Sequence, residues 1–241
     1  MPTTETLAVT DPAPQSPLLV LPRVGEIDLD RSFDEDLWPP VSCAGLVLHQ
    51  SWLAMPEPGF QTATAWFAAT PDSLVFFAEI SDRSIGTAVT QDHEHVWELG
   101  EAFEIFLQPY GGDGYHEFQI APNGRLLQLR YPAVGAPRDD GIVHYIYRAP
   151  LLEVRVRVEP DHERWRVAAR LPVVPLLQGQ ARLNGEQWRV AFCRYDYYAG
   201  DRFRLSSSAF LTRPNFHRVG EWDRMIVPGG FATPIAAPSL S

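Results

Sequence analysis

The feature that most constrains this chain is a rhythm: short runs of alternating apolar and polar residues, broken by turn chemistry about every dozen residues. Pro71-Asp72-Ser73 separates TATAWFAAT from LVFFAEISD. Proline presets the backbone angle and aspartate bonds back to its own chain, so these two runs read as a hairpin. Asn123-Gly124 joins YHEFQI to RLLQLRY in the same way. LLEVRVRVEPDHERWRVAARLP is a further hairpin, with Val154, Val156 and Val158 turned inward and Arg155 and Arg157 outward. No internal repeat, heptad or long amphipathic helix interrupts the pattern. The expectation is an all-β fold, an antiparallel β-sandwich of two packed sheets in jelly-roll-like order with one or two short helices. One domain spans 18–228, between a disordered leader at 1–17 and a flexible tail at 229–241.

Within that frame the stretch from Glu98 to Tyr131 carries the most information. Along EAFEIFLQ the side chains of Phe103, Ile105 and Leu107 share one face, while Glu104, Phe106 and Gln108 share the other. Glu104 is a carboxylate between apolar neighbours, so it needs a partner: an arginine such as Arg125 or Arg194, or a bound ligand. Upstream, IGTAVTQDHEHVWELG has no clear period and reads as a loop that delivers Trp97 to the start of this strand. LNGEQWRVAFCRYDYY is apolar on both faces, as a central strand would be. A strand is expected around 45–53 and a last one at 223–227. Phe33, Leu37 and Trp38 fit one helical turn stopped by Pro39 and Pro40.

Charge narrows the partners. The chain has 20 basic and 30 acidic residues, a formal charge of -10, and every basic residue is arginine. Nucleic acid and anionic membrane are poor partners for such a surface. The arginine-only set fits the codon bias of a GC-rich bacterial genome. Cys43 and Cys193 stand far apart without metal-like spacing and read as buried free thiols, with one long-range disulfide as the alternative in an exported protein. The N-terminus lacks a basic segment followed by an apolar core, so the expected location is the cytoplasm. Nothing in the sequence sets an oligomeric state.

Signatures of catalysis are absent: no serine-histidine-aspartate arrangement, phosphate loop or nucleophilic cysteine motif occurs. Asp92-His93-Glu94-His95 offers metal-type ligands without a third partner nearby, and reads as a solvated loop. Asp28, Asp30, Asp34, Glu35 and Asp36 offer oxygen ligands for calcium but not the spacing of a calcium loop.

Five ordered stretches then carry a resemblance: GEIDLDRSFDEDLW, WFAATPDSLVFFAEISD, VWELGEAFEIFLQP, YHEFQIAPNGRLLQ, and WRVAFCRYDYY with LTRPNFHRVGEW. Their order resembles the family 9 carbohydrate-binding modules and their DOMON-like relatives. The resemblance implies a β-sandwich that binds a carbohydrate between tryptophans, without catalysis of its own. Glu104 matches the family's acidic strand position, Trp97 the tryptophan before that strand, and Trp222 the region of a second aromatic wall. Tyr115, His116 and Gln119 lie on the neighbouring hairpin, and Arg125 and Arg194 complete the candidate sugar-binding set. The family's acidic pair is replaced here by Glu98-Leu99-Gly100-Glu101, which puts a calcium or sugar contact at that point in doubt. DOMON-like relatives imply a rival, a haem-binding electron-transfer domain, for which Met55 or Met225 and His49, His116 or His217 are the available ligands; an accessory or enzymatic protein of carbohydrate metabolism on the same scaffold is a third reading, for which no residue speaks.

Overall fold

The computed structural model describes residues 18–34, 45–109, 111–136, 141–177 and 187–231. Among them the strands are β1 (Leu18–Val20), β2 (Leu46–Val47), β3 (Ala63–Ala69), β4 (Ser73–Ser81), β5 (Ala102–Gln108) and β6 (Tyr115–Ile120). They continue with β7 (Leu126–Tyr131), β8 (Glu153–Glu159), β9 (Arg164–Pro172), β10 (Trp188–Ala199), β11 (Arg202–Ser207) and β12 (Asp223–Ile226). Two single-turn helices, α1 (Val96–Leu99) and α2 (Val174–Leu177), complete the regular elements with a few 3-10 turns.

The strands form two sheets. One runs β1-β12-β10-β5-β6-β7 with β11 also paired to β10, and the other runs β2-β3-β4-β9-β8. Every pairing is antiparallel except that of β1 with β12. β10 is central, as its two-sided apolar sequence requires. One edge pairs with β5 over Arg189 to Tyr195, while the other pairs first with β12 and then with β11. Ser208 fills the gap between those partners, donating N–H to the Phe192 carbonyl at 2.8 Å and accepting the Phe192 N–H at 3.0 Å.

Two chain segments join the sheets at their corners. Leu21 N–H bonds to the Ile226 carbonyl in the larger sheet, and the carbonyl of the next residue, Pro22, accepts from Ala69 N–H in the smaller one. His49, just after β2, exchanges two backbone bonds of 2.9 Å each with Ser207 of β11. Such switches cover edges that would otherwise offer unpaired backbone groups.

Phe103, Ile105 and Leu107 face the inter-sheet core, as their alternation requires. There Phe103 and Phe192 from the larger sheet meet Phe67 and Phe76 from the smaller, with ring centroids 5.4–6.3 Å apart. The opposite faces are not bare. Leu29, Phe33, Val75 and Phe77 form a cluster outside the smaller sheet. A larger second cluster, including Val96, Phe106, Phe216 and Trp222, lies outside the larger sheet beneath long loops.

Several expectations are revised. The strand expected over 45–53 is only Leu46–Val47, followed by the His49 bridge and turns. The loop before β5 ends in α1, which carries Trp97. Val158 is 39% exposed rather than inward, because β8 is an edge strand and its end runs past the core. The helical turn near the N-terminus is Leu29–Arg31, opened by Asp28 accepting from Asp30 N–H; Leu37 and Trp38 lie outside the described residues. β1 and β11 were not anticipated. Cys193 is a buried free thiol, and Cys43 lies outside the described residues.

Truncating the ring at the centre of the four-phenylalanine cluster, Phe192→Ala, removes contacts from both sheets. The expected cost is about 3–5 kcal/mol of unfolding free energy in denaturant titration; a loss below about 1 kcal/mol would contradict this packing.

Candidate functional site

The two faces of β5 diverge in chemistry because a strand alternates with period two. Its outer face presents Ala102, Glu104 and Phe106. Opposite them β6 presents Tyr115, Glu117 and Gln119, in the register Glu104 with Gln119 and Phe106 with Glu117. On the other side of β5, Cys193 of β10 sits opposite Glu104. Trp97, Glu104, Phe106, Glu117, Gln119, Leu129, Tyr131, Ile142, Tyr195, Leu205 and the segment Pro214 to His217 surround a cavity of about 380 Å³. That volume lies in the ordinary range of small-ligand sites, and the mixture of aromatic walls with a few convergent polar groups is typical of them.

The groove's polar groups form a chain. Gln119 Nε2 donates to Glu117 Oε1 at 2.5 Å, and Gln119 Oε1 accepts from the Trp97 N–H at 3.4 Å. Glu117 Oε2 stands 3.9 Å from His217 Nε2, and the far side of that imidazole meets the Tyr115 hydroxyl at 2.9 Å. Trp97 is half-buried, its ring stacked on His95 at 4.7 Å, and its carbonyl accepts from the Tyr197 hydroxyl at 2.6 Å. Gly100 lets the chain turn from α1 into β5: its φ is +140°, and a Cβ there would lie 2.7 Å from the Gly86 carbonyl oxygen.

Glu104 is the exception in this chain of contacts. It is 1% exposed and lines the cavity, yet no described residue hydrogen-bonds its carboxyl. Burial, and then the nearby charge of Glu117, hold it protonated well above the usual carboxylate range. Burial likewise pushes the Tyr195 phenol up, with Glu104 and Glu117 adding to the effect.

The structure thus gathers Trp97, Glu104 and Gln119 into one groove, with Tyr115 bonded beneath its rim, and separates the other candidates. Trp222 is 1% exposed, donates its indole N–H to the Phe216 carbonyl at 2.7 Å and supports Phe106 from below, so it is not a second wall. His116 faces the opposite side of β6, beside Phe118, where burial lowers its pKa to about 4. Arg125 is exposed at the hairpin and lies 3.9 Å from Asp92.

Arg194 does not pair with Glu104 either, because it projects from the opposite face of β10. Its Nη2 stands 3.3 Å from Asp82, 3.2 Å from Glu101 and 3.0 Å from Asp196, all buried. These three carboxylates are the one group among the described residues that comes within metal-ligating distance, and the guanidinium already sits among them. Of the calcium candidates, Asp30 pairs with Arg155 and Asp34 with Arg31, while Glu35 and Asp36 lie outside the described residues. In the Asp92 to His95 run, Asp92 and Glu94 accept backbone N–H groups and His95 bonds Glu98, as a folded loop does. Met55 is 79% exposed and Met225 is sealed in the inter-sheet core, so neither faces the groove with His217.

Sequence reasoning missed Glu117, Asn215, Phe216, Tyr131 and Tyr195, and offered His217 only as a haem ligand. The alternation that exposes Glu104 also places Glu117 on the same face, so that signal was present. The Pro214 to His217 wall carries none, since loop placement is a tertiary matter.

No protein-family model matches this chain, and no curated protein matches it. Solved structures do. A protein from Bacteroides uniformis ATCC 8492, to which carbohydrate binding has been ascribed, superposes with a TM-score of 0.67 at 20% identity, covering 88% of this chain and 100% of its own. A family 9 carbohydrate-binding module from Caldicellulosiruptor kristjanssonii in complex with glucose gives 0.58 at 13% identity, covering 92% of this chain and 100% of the module. The complex of such a module from that organism with cellotriose gives 0.59 at 13%, covering 93% and 100%. At these identities the likeness is one of fold: the chain has the family 9 carbohydrate-binding-module fold.

The Arg194 network makes a pH prediction. Burial raises the Glu101 carboxyl to about 9 against the pull of Arg194, with Asp82 and Asp196 adding to the rise. The folded state therefore holds this proton more tightly than the unfolded chain. Its contribution to stability is complete below about 4.5 and is lost as pH climbs towards about 9. Glu101→Gln, which cannot ionise, should lose less stability between pH 6 and pH 9 than the parent protein in denaturant melts. Parallel curves for the two proteins would refute this.

Proposed function

We propose that this protein is a carbohydrate-binding module that recognises a sugar in the groove outside β5 and β6, without catalysis of its own. The observation that carries the reading is a 380 Å³ cavity in which Trp97, Tyr131 and Phe216 stand around a buried glutamate with no bond from any described residue. Pyranose C–H faces pack on aromatic rings, and carboxyl and amide groups exchange hydrogen bonds with ring hydroxyls. Glu104, Gln119 and Asn215 supply the second kind of contact, and the aromatic rings the first. The fold shared with modules solved with glucose and cellotriose supports the assignment.

The groove is a pocket rather than a flat stacking platform. Ile142 and the Pro214 to His217 segment close it on two sides, so its ligand is a short saccharide or the end of a chain. Isothermal titration with glucose and cellotriose should show saturable binding, weakened about tenfold by Trp97→Ala while the melting temperature stays close to that of the parent. No heat with either sugar, or with a wider panel of mono- and disaccharides at millimolar concentration, would sink the proposal.

A further inference from the structure

The groove is not equally closed on every side. Ile142 stands on the β7 side, and the Pro214 to His217 segment packs over Phe106. Beyond Tyr131 lies a second cavity of about 400 Å³, but the stacked rings of Tyr115 and Tyr131, 4.6 Å apart, stand between the two, and the Tyr115 hydroxyl meets His217 at 2.9 Å. That route is walled.

The remaining side is the corner between Trp97 and Leu205, where the β10–β11 hairpin passes the groove. Its register sets Tyr195 opposite Leu205 and Tyr197 opposite Phe203. Tyr195 and Leu205 line the groove, and two residues further along each strand Tyr197 and Phe203 continue the same face outwards. The Phe203 ring centroid lies 5.0 Å from that of Tyr195 and 5.3 Å from that of Tyr197, while Tyr195 meets Phe216 edge-on at 5.7 Å. A row of aromatic rings therefore runs from the groove wall to the surface.

A lone exposed aromatic needs no explanation, but Phe203 is 42% exposed at the end of a row whose support is fixed. Tyr197 donates its hydroxyl to the Trp97 carbonyl at 2.6 Å and its backbone N–H to Glu101 at 2.5 Å, which ties it to α1 and to the start of β5. A platform held in place before a ligand arrives costs little ordering on binding. Burial raises the Tyr197 phenol, and the charges of Glu98, Glu101 and Asp201 add to the rise. Glu98 and Asp201 are exposed, so two carboxylates able to accept from hydroxyls stand beside the platform.

We infer that the ligand is an oligosaccharide of at least two rings: the terminal ring fills the groove, and the next leaves past Leu205 and stacks on Phe203, with Glu98 and Asp201 accepting from its hydroxyls. This rests on the carbohydrate reading above and adds the size of the ligand and the direction in which it leaves.

The test titrates the full chain with glucose, cellobiose and cellotriose. Both oligosaccharides should bind about tenfold more tightly than glucose. The ratio of cellobiose to glucose affinity is the readout for variants: Phe203→Ala should bring it to about one, and Phe203→Trp, with its larger ring, should keep it at about tenfold or above. In the parent protein, intermolecular nuclear Overhauser contacts should run from the Phe203 ring to cellobiose. Equal affinity of the parent for all three sugars overturns the inference and leaves the carbohydrate reading intact, as does a ratio that survives Phe203→Ala. Silence with all three sugars overturns both. Should Phe203→Ala fail to fold, the Overhauser contacts decide the matter, and their absence overturns the inference.

Discussion

The pairing of β10 with β5 is the constraint on which the rest of this structure depends. Phe192 lies opposite Ile105, and Cys193 lies opposite Glu104. In this register Phe103, Ile105, Val190 and Phe192 all point between the sheets, and Glu104 and Tyr195 point away from them. A slip of one residue would exchange these sets, driving Glu104 into the phenylalanine cluster and Phe103 out towards the groove. The fold and the site are therefore two faces of one pairing, and neither can be altered without the other.

The larger sheet handles buried acid in two ways. On its inner face, at the Glu101 end of β5, three carboxylates share Arg194, which also donates to the Ser81 carbonyl at 2.7 Å. Removing a single partner from such a network leaves uncompensated buried charge, so it acts as a structural unit. On the outer face no arginine among the described residues reaches Glu104, and its carboxyl faces an open cavity. Both glutamates lie on or beside the same strand, three residues apart, and face opposite sides of it. The carboxyl beside Arg194 belongs to the scaffold and the one without an arginine among the described residues to the site, because an unpartnered buried acid is tolerable where a ligand or solvent can meet it.

Much of the sandwich was legible because local chemistry and tertiary packing agree in it. Pro71-Asp72-Ser73 makes its hairpin through Thr70, whose hydroxyl bonds Asp72 at 3.1 Å and accepts the Ser73 N–H at 3.0 Å. Gly124, at φ +80°, closes the turn between β6 and β7. The errors fall where strands are short or where packing decides. Leu46–Val47 is brief because the chain leaves the smaller sheet at once to pair with β11. β11 itself, RFRLSS, has too little alternation to announce a strand, and β10 imposes one on it. Of the candidate site, Glu104 was legible from strand alternation along β5, while Trp97 came from its match to the family's tryptophan before that strand and Gln119 from its place on the neighbouring hairpin. Trp222, His116, Arg125 and Arg194 were misplaced because residue type alone does not say which side of a sheet, or which layer of a loop cluster, a side chain occupies.

Alternation and turn chemistry, which act between neighbours in the chain, determined by themselves that this protein is an all-β sandwich with a hairpin carrying Glu104. Three things were left to tertiary structure: that Glu104 faces away from Arg194, that Trp222 lies under the groove while His217 lines it, and that the loop from Pro214 closes the pocket. Each depends on contacts between residues far apart in sequence, and such contacts leave no local period to read.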